Sequence, residues 1–183
     1  MIKASLLRDK NELNKIEERP GYYTWWASGK ELDFILQKLN LSYADLEFVL
    51  EWKDYAYCIY VGIAEKGSLR SRLNWHINDA HTPSRVENGT LSTLRQTIAS
   101  IVAGDQYDKN ATDEFIDKLF VEWVYSDNPI KSQAAKTELH EIEQKLMKRY
   151  LRILNIQGNH HPYSVLTKDK LKTLRKQSRT RRS

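Results

Sequence analysis

The chain has 183 residues, of which 40% are hydrophobic and 29% charged, and it carries a formal net charge of +5. That length suits one domain with additions and excludes two independent ones, while a mean hydropathy of -0.65 without about 18 consecutive apolar residues excludes a membrane-spanning helix. The first twenty residues lack the apolar stretch of a secretory signal, and the single cysteine, Cys58, excludes an internal disulfide or a cysteine-rich zinc site, so a soluble cytoplasmic protein with Cys58 as core filler is expected.

In chain order, residues 1–20 read as a polar N-terminal arm with room for a short helix between Lys10 and Glu18, stopped by Pro20. Tyr22 to Trp26, an aromatic run bounded by Gly21 and by Ser28-Gly29, predicts the first strand. Leu32, Ile35, Leu36 and Leu39 have helical spacing, and Leu46, Val49 and Leu50 continue it in similar style beyond Leu41-Ser42. Ala56 to Ile63 predicts the second strand, with Gly62 letting the chain leave the sheet.

Ser68 is an N-cap candidate for a helix whose buried stripe is Leu69, Leu73 and Ile77. At about 100° per residue, His76 lies some 20° and Arg72 some 60° from Leu69, so both sit at the edge of that stripe, from which a side chain can reach a cleft. Asp79 to Gly89 reads as a polar loop, Leu91 to Val102 as a helix ending at Gly104, and Asp105 to Thr112 as a loop, together an inserted helical segment near 79–118. Leu119 to Tyr125 predicts the third strand, ended by Asp127-Asn128-Pro129.

The long helix that follows has Ala135, Leu139, Ile142 and Leu146 as its apolar face. Around that helix Glu143 lies about 80° from Ala135, Glu138 about 60° to the other side and Glu141 about 120° away, which favours Glu143 or Glu138 for a cleft. Residues 168–183 hold eight Lys or Arg and one Asp. The high isoelectric point is thus a property of this segment, which reads, from 164 on, as a basic C-terminal tail and an appendage.

Gly21-Tyr22-Tyr23 and Tyr60-Val61-Gly62, followed by Arg72 and by His76 four positions later, resemble the paired signature of the GIY-YIG nucleases. Glu143-Gln144-Lys145-Leu146-Met147, with Asn155 twelve positions beyond Glu143, resembles the family's glutamate segment, and neither Glu138 nor Glu141 meets an asparagine at that spacing. The resemblance runs from Gly21 to about Asn155. It implies an α/β fold of the α+β type, in which a small, mainly antiparallel three-stranded sheet is flanked by helices, within a nuclease domain spanning 21–163.

It also implies a divalent-metal-dependent DNA endonuclease, a phosphodiester hydrolase in which Tyr23, Tyr60, Arg72, His76 and Glu143 are catalytic. Glu143 would bind Mg²⁺ or Mn²⁺, Arg72 would hold a phosphate oxygen, Tyr23 would orient or deprotonate the attacking water, and Asn155 would support the site. Arg70, Arg85 and Arg95 are the candidates for DNA contact. His160-His161-Pro162 reads as a loop packing near the site rather than as zinc ligands, because neighbours on an extended segment point apart.

A stand-alone restriction-type enzyme is the first expectation, with a homodimer and a companion DNA methyltransferase as possible partners. A DNA-repair or mobile-element nuclease is the alternative within the class. A noncatalytic DNA-binding module and a protein-interaction domain are the alternatives outside it.

Overall fold

The computed structural model describes residues 1–180. Its strands are β1 (Ile2–Lys3), β2 (Gly21–Ser28), β3 (Trp52–Lys53), β4 (Ala56–Ala64) and β5 (Phe120–Tyr125). Its helices are α1 (Lys10–Asn14), α2 (Gly29–Lys38), α3 (Leu69–Asn78), α4 (Pro83–Glu87), α5 (Thr93–Val102), α6 (Lys109–Ile116), α7 (Gln133–Arg149) and α8 (Val165–Gln177).

The strands form one antiparallel sheet in the order β1-β5-β2-β4-β3. It has five strands, not the three expected. The three long strands stand where the sequence places them, and the additions are two-residue edges, too short to carry an alternating pattern. β3 joins β4 through Asp54, whose φ of 55° fits an aspartate in a tight hairpin turn.

β2 is central and nearly buried from end to end, which explains its dense aromatic composition. Trp25, Ile59, Leu32, Leu36, Leu69 and Leu73 share the main core. Trp26, Ala56 and Cys58 form a smaller cluster. Cys58 is core filler, with burial pushing its thiol up to about 12.

The expected arm is packed: Ala4, Leu7, Leu13 and Ile16 are buried, and Ile2 pairs with Val121. The basic segment is also anchored. α8 packs on α5, and Leu171 is wholly buried, so its described part is no loose appendage; residues 181–183 lie outside the described residues. Its inward positions are few among many charges, which masks the packing in the sequence.

Three local expectations fail here. The polar loop expected at Asp79 to Gly89 contains helix α4, begun by the Thr82 side chain accepting from Arg85 N–H with Pro83 in its first turn. Leu46, Val49 and Leu50 are buried, but only a 3-10 turn, Glu47–Val49, forms there. Part of the loop expected at 105–112 is helix α6, begun by the Asp108 side chain accepting from Ala111 N–H. Gly104, at φ +63°, follows α5 as a left-handed helix stop.

Candidate active site

The strand register brings the two tyrosine segments together. Tyr23 faces Gly62 across β2 and β4, and Trp25 faces Tyr60. β4 continues through Gly62 to Ala64, so Gly62 is not where the chain leaves the sheet. Its role is to make room: an added Cβ would lie 2.6 Å from Tyr23 Cζ and 3.0 Å from Cε2. Gly62→Ala is expected to destabilise the fold by about 1–3 kcal/mol through overpacking. Urea unfolding checks this, and the loss should shrink in a Tyr23→Ala background, where the clash is absent.

α3 starts at the Ser68 cap, which accepts from Ser71 N–H, and buries Leu69, Leu73, His76 and Ile77. His76 is 1% exposed and sits among aromatic rings, with centroids 5.2 Å from Tyr23, 6.0 Å from Trp25, 6.1 Å from Tyr60 and 6.0 Å from Trp75. Its Nε2 lies 2.6 Å from Tyr23 Oη, while its buried Nδ1 has no hydrogen-bond partner among the described residues. Burial, then Arg72 and Arg95, hold this imidazole well below the usual histidine range. It is neutral at neutral pH.

Burial also pushes the Tyr60 phenol up to about 12, with Glu143 adding to the rise and Arg72 opposing it. Tyr23 is raised well above an ordinary tyrosine, by burial first and then by Tyr60. Arg72 opposes that shift too. Its half-exposed guanidinium stacks 5.0 Å from the Trp75 ring centroid. Among the described residues it has no hydrogen-bond or ion-pair partner. One uncommitted cation thus acts on two phenols, an imidazole and a carboxylate.

That carboxylate is Glu143, half-buried on α7. It lines a cleft of about 270 Å³ together with Tyr60, His140, Asn155, Gln157 and His160. Tyr23, Arg72 and His76 are not among its lining; the rings of Tyr23 and His76 pack against Tyr60, with centroids 6.5 and 6.1 Å away. Burial raises the Glu143 carboxyl, with Glu65 adding to the shift and His140 and Arg72 opposing it. Glu138 is committed elsewhere, accepting from Ser126 Oγ and, at 2.9 Å, from Asn128 Nδ2. Glu141 is exposed.

Asn155 pairs with the backbone of the second tyrosine segment: Val61 N–H donates to Asn155 Oδ1 at 2.9 Å, and Asn155 Nδ2 donates to Val61 O at 2.8 Å. Leu154 N–H donates to Ile59 O beside it. These bonds hold residues 154–155 beside β4 and fix Tyr60 at the cleft wall.

His160 lines the cleft, whereas His161 turns back to accept from Tyr163 N–H at 3.3 Å. His140, whose Nε2 lies 2.9 Å from Glu65 Oε2, was not foreseen. Its place three residues before Glu143, hence on the same helical face, was the available signal.

The three arginines read as DNA contacts are engaged within the protein. Arg70 donates to Ile16 O, Asn14 O and Glu18, and Arg85 pairs with the buried Asp79. Arg95 is fully buried and cannot reach DNA. It donates to His76 O, Ile77 O and His81 Nε2 and pairs with Asp113, locking α5 and α6 to the end of α3. A buried charge so satisfied is structural.

His81 accepts from Arg95 and donates to Gln106 O, which fixes a neutral ring. Burial and the Arg95 charge push it from 6.5 down to about 4. The unfolded chain therefore takes up this proton first as pH falls. The contribution is fully present above about 6.5 and is lost on acidification, at no more than about 1.4 kcal/mol per pH unit. Urea midpoints should fall between pH 6.5 and 4, less steeply for His81→Gln, and an identical slope in the two proteins would contradict the assignment.

Among the described residues no three His, Cys, Asp or Glu side chains cluster as a metal cage. Glu143, a half-buried carboxylate without a hydrogen-bond or ion-pair partner among the described residues and opening on a polar cleft, nevertheless suits a hard cation. Mg²⁺ is commonly held by one or two carboxylates, with waters and substrate phosphate oxygens completing its shell.

The family model described as the GIY-YIG catalytic domain matches residues 21–177. No curated protein and no solved structure matches the chain.

Proposed function

Because the chain belongs to the GIY-YIG catalytic-domain family, a family of nucleases that generally use divalent metals, we propose that it is a DNA endonuclease hydrolysing phosphodiester bonds at the Tyr60–Glu143 cleft. The carrying observation is a cleft lined by Tyr60 and by Glu143, whose carboxylate has no ion-pair partner among the described residues, with Tyr23 and His76 packed against Tyr60 and the uncommitted Arg72 guanidinium acting on all four groups.

In this reading Arg72 forks onto a phosphate oxygen, for which a planar guanidinium is better shaped than an ammonium. Glu143 would hold a divalent ion, which would supply positive charge for the scissile phosphate and the departing 3′ oxygen. Tyr60, on the cleft wall, orients the attacking water. Tyr23 is too weak an acid to act as a free phenolate, so the proton given up by the attacking water passes to Tyr23 Oη as Tyr23 passes its own along the 2.6 Å contact to neutral His76, and no free phenolate forms. A phosphate bound to Arg72 offsets the charge that depresses His76 and so favours this transfer.

Asn155 holds the Tyr60 strand in place. The ion is Mg²⁺, with Mn²⁺ as substitute. The role ranked first is restriction, with the basic α8, packed on α5, able to supply contacts around the target. Cutting both strands with one cleft per chain calls for two copies, and a companion methyltransferase would protect resident DNA.

The test incubates purified protein with supercoiled plasmid in Mg²⁺, with and without EDTA. Nicked or linear product formed only with the ion supports the proposal, and discrete fragments blocked by prior methylation support the restriction role. Duplex binding with no cleavage in Mg²⁺ or Mn²⁺ would favour a noncatalytic module instead.

A further inference from the structure

A second hollow, of about 230 Å³, opens between α8 and the segment after Asn155, lined by Ile156, Gln157, Lys172, Arg175, Lys176 and Arg179. It shares Ile156 and Gln157 with the cleft that holds Tyr60 and Glu143, so the two hollows adjoin along one wall. Arg175 and Lys176 are each three or four residues from both Lys172 and Arg179, which brings the four to one side of α8 and its first following turn.

Arg175 and Arg179 have no acidic partner among the described residues. Gln96 on α5 donates its amide to Gly89 O and Leu91 O at 2.9 and 2.6 Å. Its Oε1 is thereby turned to accept from both Arg175 and, at 2.7 Å, Arg179. The Nε atoms of both arginines are buried and have no hydrogen-bond partner among the described residues. Two like charges meeting on a neutral amide repel each other, and an internal carboxylate in place of Gln96 would balance them. Lys176 is exposed and has no ion-pair partner among the described residues, and Lys172 has only the exposed Asp169 beside it. The Arg175 charge also reaches Tyr60, lowering its phenol.

We infer that this groove is a phosphate track for the DNA strand leaving the cleft, with Arg175 and Arg179 fixed by Gln96 to hold one backbone phosphate and Lys172 and Lys176 to attract its neighbours. The inference rests on the nuclease reading for its choice of DNA. It gives the inserted segment an indirect part in binding: α5 supplies no arginine to DNA but orients two that do.

The test is fluorescence anisotropy of a short labelled duplex, without divalent ion, across a salt series. The proteins are wild type, the pair Lys172→Gln with Lys176→Gln, and a control pair of equal charge change, Lys30→Gln with Lys118→Gln, beside a separate hollow. Both pairs alter surface lysines, so melting curves should match wild type. The first pair is expected to bind roughly tenfold more weakly at about 0.1 M salt, with the log affinity against log salt slope shallower by about 2, while the control pair stays close to wild type. Unchanged affinity and slope for the first pair, or an equal loss in both pairs, would overturn the track. A wild type that cleaves DNA while the first pair binds normally removes the track and keeps the nuclease. Lysine-dependent binding with no cleavage keeps the track and removes the nuclease.

Discussion

Arg72→Ala is expected to slow DNA cleavage about a thousandfold, in line with the removal of a preorganised cation from a transferring phosphoryl group. The fold should lose only about 0.5–1 kcal/mol, because the guanidinium makes no internal hydrogen bond or ion pair among the described residues and gives up only its stacking on Trp75. The separation of the two effects is the diagnostic part: a cation that does little for stability yet acts on Tyr23, Tyr60, His76 and Glu143 is placed for a ligand. Arg72→Lys keeps the charge but loses the fork, and should recover only part of the rate. Single-turnover cleavage beside thermal melting measures both, and full activity in Arg72→Ala would remove this residue from the site.

Glu143→Gln is expected to abolish ion-dependent cleavage, by about a thousandfold or more, while the protein becomes no less stable. Burial raises the Glu143 carboxyl. The folded state therefore holds this proton more tightly than the unfolded chain, and stability falls as pH rises from the ordinary glutamate value of 4.5 through the raised one. At neutral pH the charged form is a burden on the fold, which the neutral amide removes. Calorimetric titration with Mg²⁺ should lose its binding signal in the same variant. A destabilised Glu143→Gln that still binds the ion would show that this carboxylate serves the fold.

The three long strands and the helices carrying Arg72, His76 and Glu143 were legible because apolar spacing marks them and the tyrosine segments give their order. The meeting of these groups was not readable from periodicity. It depends on the register that sets Tyr23 over Gly62 and on Asn155 tying its segment to Val61, contacts between residues far apart in sequence that only the resemblance anticipated. Short edges β1 and β3 offer too few residues for a pattern. Arg95 looked like a surface arginine because charge alone does not reveal burial, and its partners Asp113 and His81 lie at other places in the chain. The basic end of the chain reads as an appendage because its charges outnumber its inward residues, although Leu171 and Leu174, three positions apart, share a helical face and Leu171 is buried.

The most direct measurement is the single-turnover cleavage rate of one DNA duplex by wild type, Arg72→Ala, Glu143→Ala and the double variant, purified in parallel. If one cleft performs the hydrolysis, each single variant falls at least about a hundredfold and the double falls little further, since groups acting on one transition state are not additive. Equal rates in all four proteins would contradict it.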